Sequence, residues 1–498
     1  MSYIYKDLMY KNLYLGKIEM SNHGRIYNIT NIDNIDKYPL GCKIDNGVPD
    51  IDWISDWWQY NSIPVDRNSV KYSLECIGIE SVEEFKLLSH GLSLTNNFWV
   101  KDCGENINWE DINYWDNPIS DEIGNALYNH KPLRKNFVFD GSPDASLNGV
   151  LKKKCKYNNG NYYLIKGGSV PNNQEPFNEV LASSLFSSIN FPCAKYIINP
   201  EDNKSCICKF FTSKELELIP IAQIWDSLSR KYNENNELDF FYRLLDYYNV
   251  NINKKYINDM LCIDYIIANT DRHYGNIGIL YNNVTEELCL APAFDNGTSM
   301  WCSLSDLSNM YDDKYNIARP FCNKTTYGYW NEQIKFINDY PNLKKENLMI
   351  CLIDYISLLK KYSTLNNNRI YSLGIAVIKR AKNLQEYLLS KKHNLSISDD
   401  CIINDYDIKK ASDLINEIVY DKSYNSQKEG YSNSLAHYTI LNNNELNDII
   451  DEINQESFNK NNQGNINISE DIIESDADKS NIVNYNNEID EFDDDIDI

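Results

Sequence analysis

The feature that most constrains this chain is a polar cluster that separates two apolar stretches near its middle. The stretch IIANTDRHYGNIGIL, residues 266–280, places Asp271 and Asn276 five positions apart, directly after a run whose apolar spacing predicts a helix. Residues 277–295 have the pattern of a β-hairpin with its turn at Asn282–Glu286, and this hairpin ends at Asp295. Because a hairpin returns its second strand beside its first, Asp295 is expected close to Asp271 and Asn276.

Two carboxylates and one amide oxygen in one small volume suit phosphoryl transfer. Mg²⁺ prefers oxygen ligands, commonly a carboxylate with an amide oxygen or substrate phosphates, and water completes its octahedron. A second carboxylate that binds no metal can orient a hydroxyl nucleophile and accept its proton. The pattern D-x-x-x-x-N followed by a further aspartate has the spacing of base, amide ligand and carboxylate ligand in kinases.

The segments upstream offer the other half of such a site in the expected order. Lys166 ends the apolar strand YYLIK, and Glu179 stands thirteen residues later in the first turn of the helix predicted over PFNEVLASSLFSSIN. A strand lysine held by a helix glutamate is the kinase ion pair that fixes an ammonium for phosphate binding. Still earlier, GSPDASLNGVLKKK carries small residues that let backbone N–H groups approach phosphate oxygens. They are Gly141, Ser142, Ser146 and Gly149.

Each of these residues also has a purely structural interpretation. Asp271 could cap a helix end, Asn276 could hold a left-handed turn, and Asp295 could serve a tight turn in FDNG. Lys166 could be a surface lysine and Glu179 a partner of the helix dipole. Only their ordered co-occurrence favours the functional interpretation.

Two further residues of the central stretch are assigned no chemistry. We expect His273 to form a hydrogen bond that orients the loop around Asp271, and Arg272 is expected to bridge to an acidic group.

The chain divides into five regions by pattern and composition, and their order indicates an α+β protein. Residues 1–135 are rich in Trp and polar turns and are interpreted as a mixed, loop-rich region. Residues 136–215 predict strands, one helix and further strands, with a hairpin at NNGN. Residues 216–395 are mainly helical apart from the hairpin. Residues 396–440 are predicted to be a weakly ordered extension, and residues 441–498 an acidic disordered tail.

Charge and cysteine content narrow the class of protein. The net charge is −24, but residues 441–498 alone hold 17 acidic and 2 basic residues, a net of −15. This acidity gives no indication of nucleic-acid binding. The 13 cysteines form no CxxC pair and are expected to be thiols in a reducing cytoplasm. No stretch approaches the length of a membrane span, and no signal peptide is expected.

With these residues in place, the chain resembles the HipA-like family of bacterial serine/threonine kinases over roughly residues 135–390. Four segments match in order: SPDASLNGVLKK, YLIK with NEV, ANTDRHYGN, and LAPAFDNGTS. WWQYNSIPVDR and GLSLTNNFWVK are similar to segments that precede the kinase core in some members. The resemblance implies a two-lobed protein-kinase-like fold, with a β-rich N-lobe and a helical C-lobe, that binds ATP between the lobes.

Carried over to this chain, the resemblance implies a role for each matching residue. Asp271 would be the catalytic base, Asn276 and Asp295 the Mg²⁺ ligands, and Lys166, held by Glu179, the lysine of the ATP phosphates. The SLNG segment matches the family's phosphate loop, so Ser146 and Gly149 would contact nucleotide. Ser146 stands where that family can carry an autophosphorylated serine.

The chain also departs from the family pattern. LNGVLKKK lacks the second small residue and the Gln or Arg that usually precede the lysine, and residues 1–130 show no clear copy of the β-rich N-terminal module of the toxin prototype. A toxin role therefore does not follow. The expected function is an ATP- and Mg²⁺-dependent kinase that phosphorylates a protein hydroxyl. A pseudokinase that binds a partner, or a lipid or small-molecule kinase, remains open, since DRHYGN also resembles the catalytic loop of phosphoinositide kinases. The acceptor, the partner and the oligomeric state are not predicted.

Overall fold

The computed structural model describes most of the first 420 residues of the chain. These are residues 3–65, 67, 70–133, 139, 141–229, 236–308, 310, 316–321, 328–391 and 395–420. The predicted acidic tail, 441–498, and residues 421–440 of the predicted extension lie outside the described residues.

The N-terminal region contains a four-stranded antiparallel sheet of order β3-β2-β1-β6. The four strands of this sheet are β1 (Tyr3–Tyr10), β2 (Leu13–Ser21), β3 (Ile26–Thr30) and β6 (Phe98–Asp102). Strands β4 (Ile44–Asp45) and β5 (Val48–Pro49) form a separate antiparallel pair. The first three strands form a meander, and β6 joins beside β1 from a distant part of the chain. The loop-rich interpretation of this region missed this sheet.

Five helices accompany that sheet. They are α1 (Ile51–Tyr60), α2 (Val70–Cys76), α3 (Val82–Leu88), α4 (Trp109–Ile112) and α5 (Glu122–Asn129). Helix α1 begins at the cap Asp50, whose carboxylate accepts from the Trp53 amide at 3.1 Å. Its Ile54, Trp57 and Trp58 are buried with the apolar face of the sheet, so part of the Trp richness of this region serves a local core.

The N-lobe follows the predicted order of strands, helix and strands. Its sheet has the order β7-β8-β10-β9, formed by β7 (Lys153–Asn158), β8 (Asn161–Lys166), β9 (Ile197–Ile198) and β10 (Cys206–Lys209). The NNGN hairpin is confirmed: Asn159 and Gly160 both have positive φ, as a tight two-residue turn between β7 and β8 requires.

Helix α6 (Glu175–Ser188) connects the N-lobe sheet with the helices of the C-lobe. Val180 packs with Ile165 and Ile207 of the N-lobe core, whereas Phe177 and Leu181 belong to the larger C-lobe core. The helix begins one residue earlier than predicted, at Glu175, so Glu179 lies in its second turn rather than its first. Because α6 is buried on both faces, its position is fixed relative to both lobes.

The C-lobe is mainly helical, as predicted. Its helices are α7 (Ile221–Ile224), α8 (Glu237–Tyr247), α9 (Lys254–Ile266), α10 (Trp330–Gln333), α11 (Lys345–Tyr362), α12 (Asn367–Lys391) and α13 (Asp405–Tyr420). Its strands are β11 (Leu216–Pro220), β12 (Gly278–Asn282), β13 (Leu288–Leu290), β14 (Ile317–Ala318) and β15 (Gly328–Tyr329). The predicted hairpin is the β12–β13 pair, and β11 adds a third strand beside β12. In the part of the chain that the structure describes, no helix has both the length and the hydropathy to cross a membrane.

Within the predicted weakly ordered extension, 396–440, residues Asp405–Tyr420 instead form helix α13. Its Ala411, Ile415, Ile418 and Val419 are buried in the C-lobe core. The apolar residues of DYDIKKASDLINEIVY recur at helical spacing, but they are interspersed with six charged residues, so the pattern is easily overlooked.

The N-terminal region joins the C-lobe through the buried carboxylate of Glu217 on β11. Glu217 accepts hydrogen bonds from the Tyr10 hydroxyl at 2.6 Å and from the side-chain amides of Asn97 and Asn283 at 2.9 and 3.0 Å. Burial raises the pKa of Glu217, although these hydrogen bonds oppose the shift. Residues from three separate parts of the chain therefore share one buried acceptor.

The substitution Glu217→Gln tests this junction through the pH dependence of stability. Because the folded-state pKa of Glu217 is raised, its contribution to stability is fully present below the unfolded-state value of about 4.3 and is lost as pH rises through the folded-state pKa. We expect the free energy of unfolding of the wild type, relative to Glu217→Gln, to fall by about 1.4 kcal/mol per unit of pKa shift across that window. Urea unfolding between pH 4 and 7 measures it.

The exposed Glu215, two positions earlier, supplies the matched control. Glu215→Gln should leave the unfolding curves close to those of the wild type. An equal pH dependence in both variants would contradict the assignment to Glu217.

Candidate active site

The loop that carries Asp271 is anchored by a fully buried ion pair. Helix α9 ends at Ile266, and Arg272, a few residues later, turns back to bind Asp264 of that helix. The Nε of Arg272 lies 2.9 Å from one carboxylate oxygen of Asp264, and its Nη2 lies 2.9 Å from the other. Both side chains are without solvent exposure, and this pair confirms the expected acidic partner of Arg272.

The same guanidinium connects the loop to the end of the hairpin. Arg272 donates to the carbonyl of Asn276 at 3.1 Å and to that of Phe294 at 2.8 Å, and it also binds the side-chain oxygen of Asn296. The backbone on either side of Asp295 is therefore held against the loop of Asp271 and Asn276. One arginine thus supplies much of the proximity that the hairpin pattern predicted.

Asp271 occupies a mixed electrostatic environment at the mouth of the site. Its carboxylate lies 3.8 Å from His273 Nε2 and 3.9 Å from a guanidinium nitrogen of Arg319. Burial raises the pKa of Asp271 and the nearby Asp295 carboxylate raises it further, while His273 and Arg319 oppose the shift. A carboxylate with raised proton affinity, close to the guanidinium of Arg319, can accept a proton from an incoming hydroxyl.

Asn276 and His273 are oriented by hydrogen bonds within the loop. The side-chain nitrogen of Asn276 donates to the Asp271 carbonyl at 2.8 Å, which fixes the amide group and the direction of its oxygen. His273 Nδ1 accepts from the Gly275 amide at 3.0 Å and caps the 3₁₀ turn Tyr274–Asn276. His273 thus orients this loop, as expected. In a neutral imidazole the proton then resides on Nε2, the nitrogen that faces Asp271.

Asp295 lies at the junction of the two lobes with a left-handed backbone, φ 54°. One of its carboxylate oxygens lies 2.6 Å from Lys166 Nζ and the other 3.4 Å from Lys153 Nζ. Burial by itself would raise the pKa of Asp295, but the two ammonium groups outweigh it and hold that pKa well below its usual range. The carboxylate is therefore ionised at any physiological pH.

Lys166 and Glu179 form the ion pair that their order in the sequence suggested. The Lys166 ammonium binds Glu179 Oε1, and both side chains are at most 2% exposed. The second oxygen of Glu179 accepts from the Asn296 amide at 2.9 Å, next to Asp295. Burial by itself would lower the pKa of Lys166, but the carboxylates of Asp295 and Glu179 outweigh it and raise that pKa.

The loop that carries Ser146 and Gly149 precedes β7. Ser146 ends the 3₁₀ helix Pro143–Ser146 and donates from its hydroxyl to the Pro143 carbonyl at 3.0 Å. Gly149 has φ +95°, and a Cβ there would approach the ammonium end of Lys153. This left-handed backbone conformation favours glycine at the position.

Lys153 and Arg319 are the site residues that sequence reasoning missed. Lys153 lies in the basic run LKKKCKY, residues 151–157, and it reaches both Asp295 and the Asn148 carbonyl, the latter at 2.9 Å. The signal that could have found it is the register of the NNGN hairpin, which pairs Lys153 with Lys166 on the same face of the sheet. Arg319 reaches Asp271 from residues nearly fifty positions later, and no local pattern marks it.

The donor set fits a Mg²⁺ ion shared with a nucleotide rather than a closed metal site. Among the described residues, no group of three or more His, Cys, Asp and Glu is arranged to hold a metal. An ionised carboxylate at Asp295 and an oriented amide at Asn276 supply two oxygen ligands of the kind that Mg²⁺ prefers. Phosphate oxygens and water would have to complete the shell, as in nucleotide-dependent phosphotransferases.

Removing Arg272 tests whether the loop depends on its buried ion pair. Arg272→Met leaves the Asp264 carboxylate buried and without its guanidinium, so we expect a loss of about 3–5 kcal/mol in the free energy of unfolding, measured in urea. In the double variant Arg272→Met/Asp264→Leu both charges are absent, and the loss should be smaller. A double variant as unstable as the single one would contradict the importance of the charge pair.

Comparison with known proteins finds a distant similarity to a bacterial kinase. Among curated proteins, the chain is 25% identical over 256 residues to the serine/threonine-protein kinase CtkA of Helicobacter pylori strain J99. The aligned residues are 47% of this chain and 75% of that relative. No family model matches the chain.

Two solved structures share a distant likeness with this chain. The crystal structure of the proinflammatory kinase CtkA of Helicobacter pylori matches with a TM-score of 0.31 and 20% identity, covering 53% of this chain and 89% of that one. HipA of Shewanella oneidensis MR-1, solved with HipB and operator DNA, matches with a TM-score of 0.38 and 13% identity. This match covers 83% of this chain and 96% of the HipA chain. At these scores no residue role is taken from either structure. The resemblance to HipA-like bacterial serine/threonine kinases that the motifs indicated is borne out, at low identity, by the match to the curated kinase CtkA.

Proposed function

We propose that this protein is an ATP- and Mg²⁺-dependent kinase that phosphorylates serine or threonine hydroxyls on a protein. The observation that carries the proposal is the Lys166 ammonium, which lies between Glu179 of α6 and Asp295 at the end of the hairpin. An ammonium fixed by two carboxylates, one of them suited to bind metal, is the arrangement that kinases use to bind nucleotide phosphates.

In this proposal the residues divide the reaction between them. Lys166 binds nucleotide phosphate, with Glu179 holding its ammonium in place. Asn276 and Asp295 hold Mg²⁺, which when bound neutralises charge on the transferred phosphoryl group. Asp271 orients the acceptor hydroxyl and takes its proton. Most of the rate gain would come from positioning and preorganised charge.

A protein acceptor is supported by the accessibility of Asp271 and by the curated relative. The side chain of Asp271 is 36% exposed, so a hydroxyl presented by another macromolecule can reach it. CtkA is named a serine/threonine-protein kinase. Ser146 is a candidate for autophosphorylation, which would require its hydroxyl to leave the Pro143 carbonyl that it now contacts.

The alternatives receive less support from the structure. A lipid kinase would need a basic surface that contacts membranes. Lys153, Lys154 and Lys156 of the basic run are instead buried, each less than a tenth exposed. A pseudokinase typically lacks a base or a metal ligand, whereas this chain retains Asp271 as the proposed base and Asn276 and Asp295 as the proposed metal ligands.

Asp271→Asn separates an active kinase from a nucleotide-binding protein. The amide keeps the size of the side chain but cannot accept the proton, so phosphoryl transfer from labelled ATP should fall by at least about 100-fold, while ADP affinity stays within about threefold. Asp246→Asn, an exposed position on α8, serves as the control and should retain full activity. Equal labelling in Asp271→Asn and wild type would overturn the assignment of the base.

Asp295→Asn tests the metal assignment. The neutral amide is a weaker Mg²⁺ ligand and no longer balances Lys153 and Lys166, so the gain in ADP affinity on adding Mg²⁺ should fall by about tenfold or more. Calorimetric titration with ADP, with and without Mg²⁺, measures this gain. A variant that keeps the wild-type gain would show that Asp295 does not bind the metal.

A further inference from the structure

The loop of residues 146–149 is held by cations on three consecutive carbonyl groups. Arg67 of the N-terminal region donates from Nε to the Gly149 carbonyl at 2.9 Å, and from its Nη2 to the Leu147 carbonyl. Lys153 donates to the carbonyl between them, that of Asn148, at 2.9 Å. Each successive carbonyl of the loop therefore has a positively charged partner.

This arrangement determines where the loop directs its amide groups. In a trans peptide the N–H of one residue points opposite to the carbonyl of the residue before it. With the carbonyls of Leu147 and Gly149 directed at Arg67, the N–H groups of Asn148 and Val150 point away from it. Backbone N–H groups turned to one side of a loop are the groups that bind phosphate oxygens.

The N-terminal region holds the start of this segment as well as its end. The Ser142 amide donates to the Ser89 hydroxyl of the N-terminal region at 3.2 Å. Within the N-lobe, the buried Asp144 accepts from the Cys155 amide of β7 at 2.8 Å. Arg67 is itself only 9% exposed, so its guanidinium is packed into the structure and is not a mobile surface group. The loop is thus fixed from a region that lies outside the predicted kinase core.

We propose that Arg67 is a positioning residue for nucleotide binding, which holds the 146–149 loop in its phosphate-binding conformation and makes the N-terminal region part of the kinase site. The proposal rests on the proposed function, because it assumes that the loop receives nucleotide phosphates. Arginine suits this role because its planar fork can bind two carbonyl groups at once, whereas a lysine ammonium is a single compact charge.

The test compares Arg67→Met, Arg67→Lys and the control Arg25→Met in the full chain. Arg25 is an exposed arginine of the same N-terminal region, and its guanidinium lies over the ring of Tyr27. Hydrogen exchange of the peptide that spans 146–150, without nucleotide, reports on the loop. Calorimetric titration with ADP and Mg²⁺ reports on the site.

We expect amide exchange in the loop to be about tenfold faster in Arg67→Met, with α1 and β6 unchanged, and ADP affinity to fall by about tenfold. Arg67→Lys should lie between Arg67→Met and the wild type, and Arg25→Met should match the wild type. Because Arg67→Lys retains the charge and the aliphatic stem, it decides the question if Arg67→Met does not fold.

Two outcomes overturn the proposal, and they differ from a failure of the proposed function. Unchanged loop exchange in both Arg67 variants would show that Arg67 does not fix the loop. Faster exchange with unchanged ADP affinity would show that the fixed loop is irrelevant to nucleotide. A wild type that binds no ADP would instead overturn the proposed function, while the exchange data would still report whether Arg67 anchors the loop.

Discussion

The arrangement of the two lobes depends on the ion pairs of the Lys166 ammonium. The Lys166 side chain is almost fully buried, and Glu179 and Asp295 neutralise its charge from opposite sides. An unpaired charge buried to this extent would be strongly unfavourable, so the strand, the helix and the hairpin end that carry these groups must come together. The same contact that satisfies the buried charge also places an ionised carboxylate where a metal and phosphates can meet.

Further buried polar groups each fix one segment of the chain against another. Arg272 with Asp264 fixes the loop of Asp271, Glu217 fixes the N-terminal region against β11, and Arg67 fixes the loop before β7. Buried ion pairs contribute little net stability compared with apolar packing, but they strongly penalise the loss of one partner. In this protein these buried groups fix the positions of the segments that they join.

Sequence reasoning succeeded where the relevant contacts are local or follow a regular element. The hairpin pattern after residue 276 was sufficient to predict that Asp295 lies near Asp271. The order of strand and helix was sufficient to predict that Lys166 pairs with Glu179. It failed where the partner is distant or the pattern is weak. β6 joins β1 across some ninety residues, Arg319 approaches Asp271 from a separate segment, and the apolar residues of α13 are interspersed with six charged ones.

The sequence alone determined the residue types of the candidate site, their order, and the alternation of strand and helix that carries them, because each follows from spacing along a few turns or strands. Only the tertiary structure decided that two lysines, not one, face Asp295, that one arginine ties the loop to the hairpin, and that Arg67 reaches the loop before β7. These contacts join segments far apart in the chain. Their geometry depends on the packing of the whole core, which determines which buried charged groups lie close enough to pair.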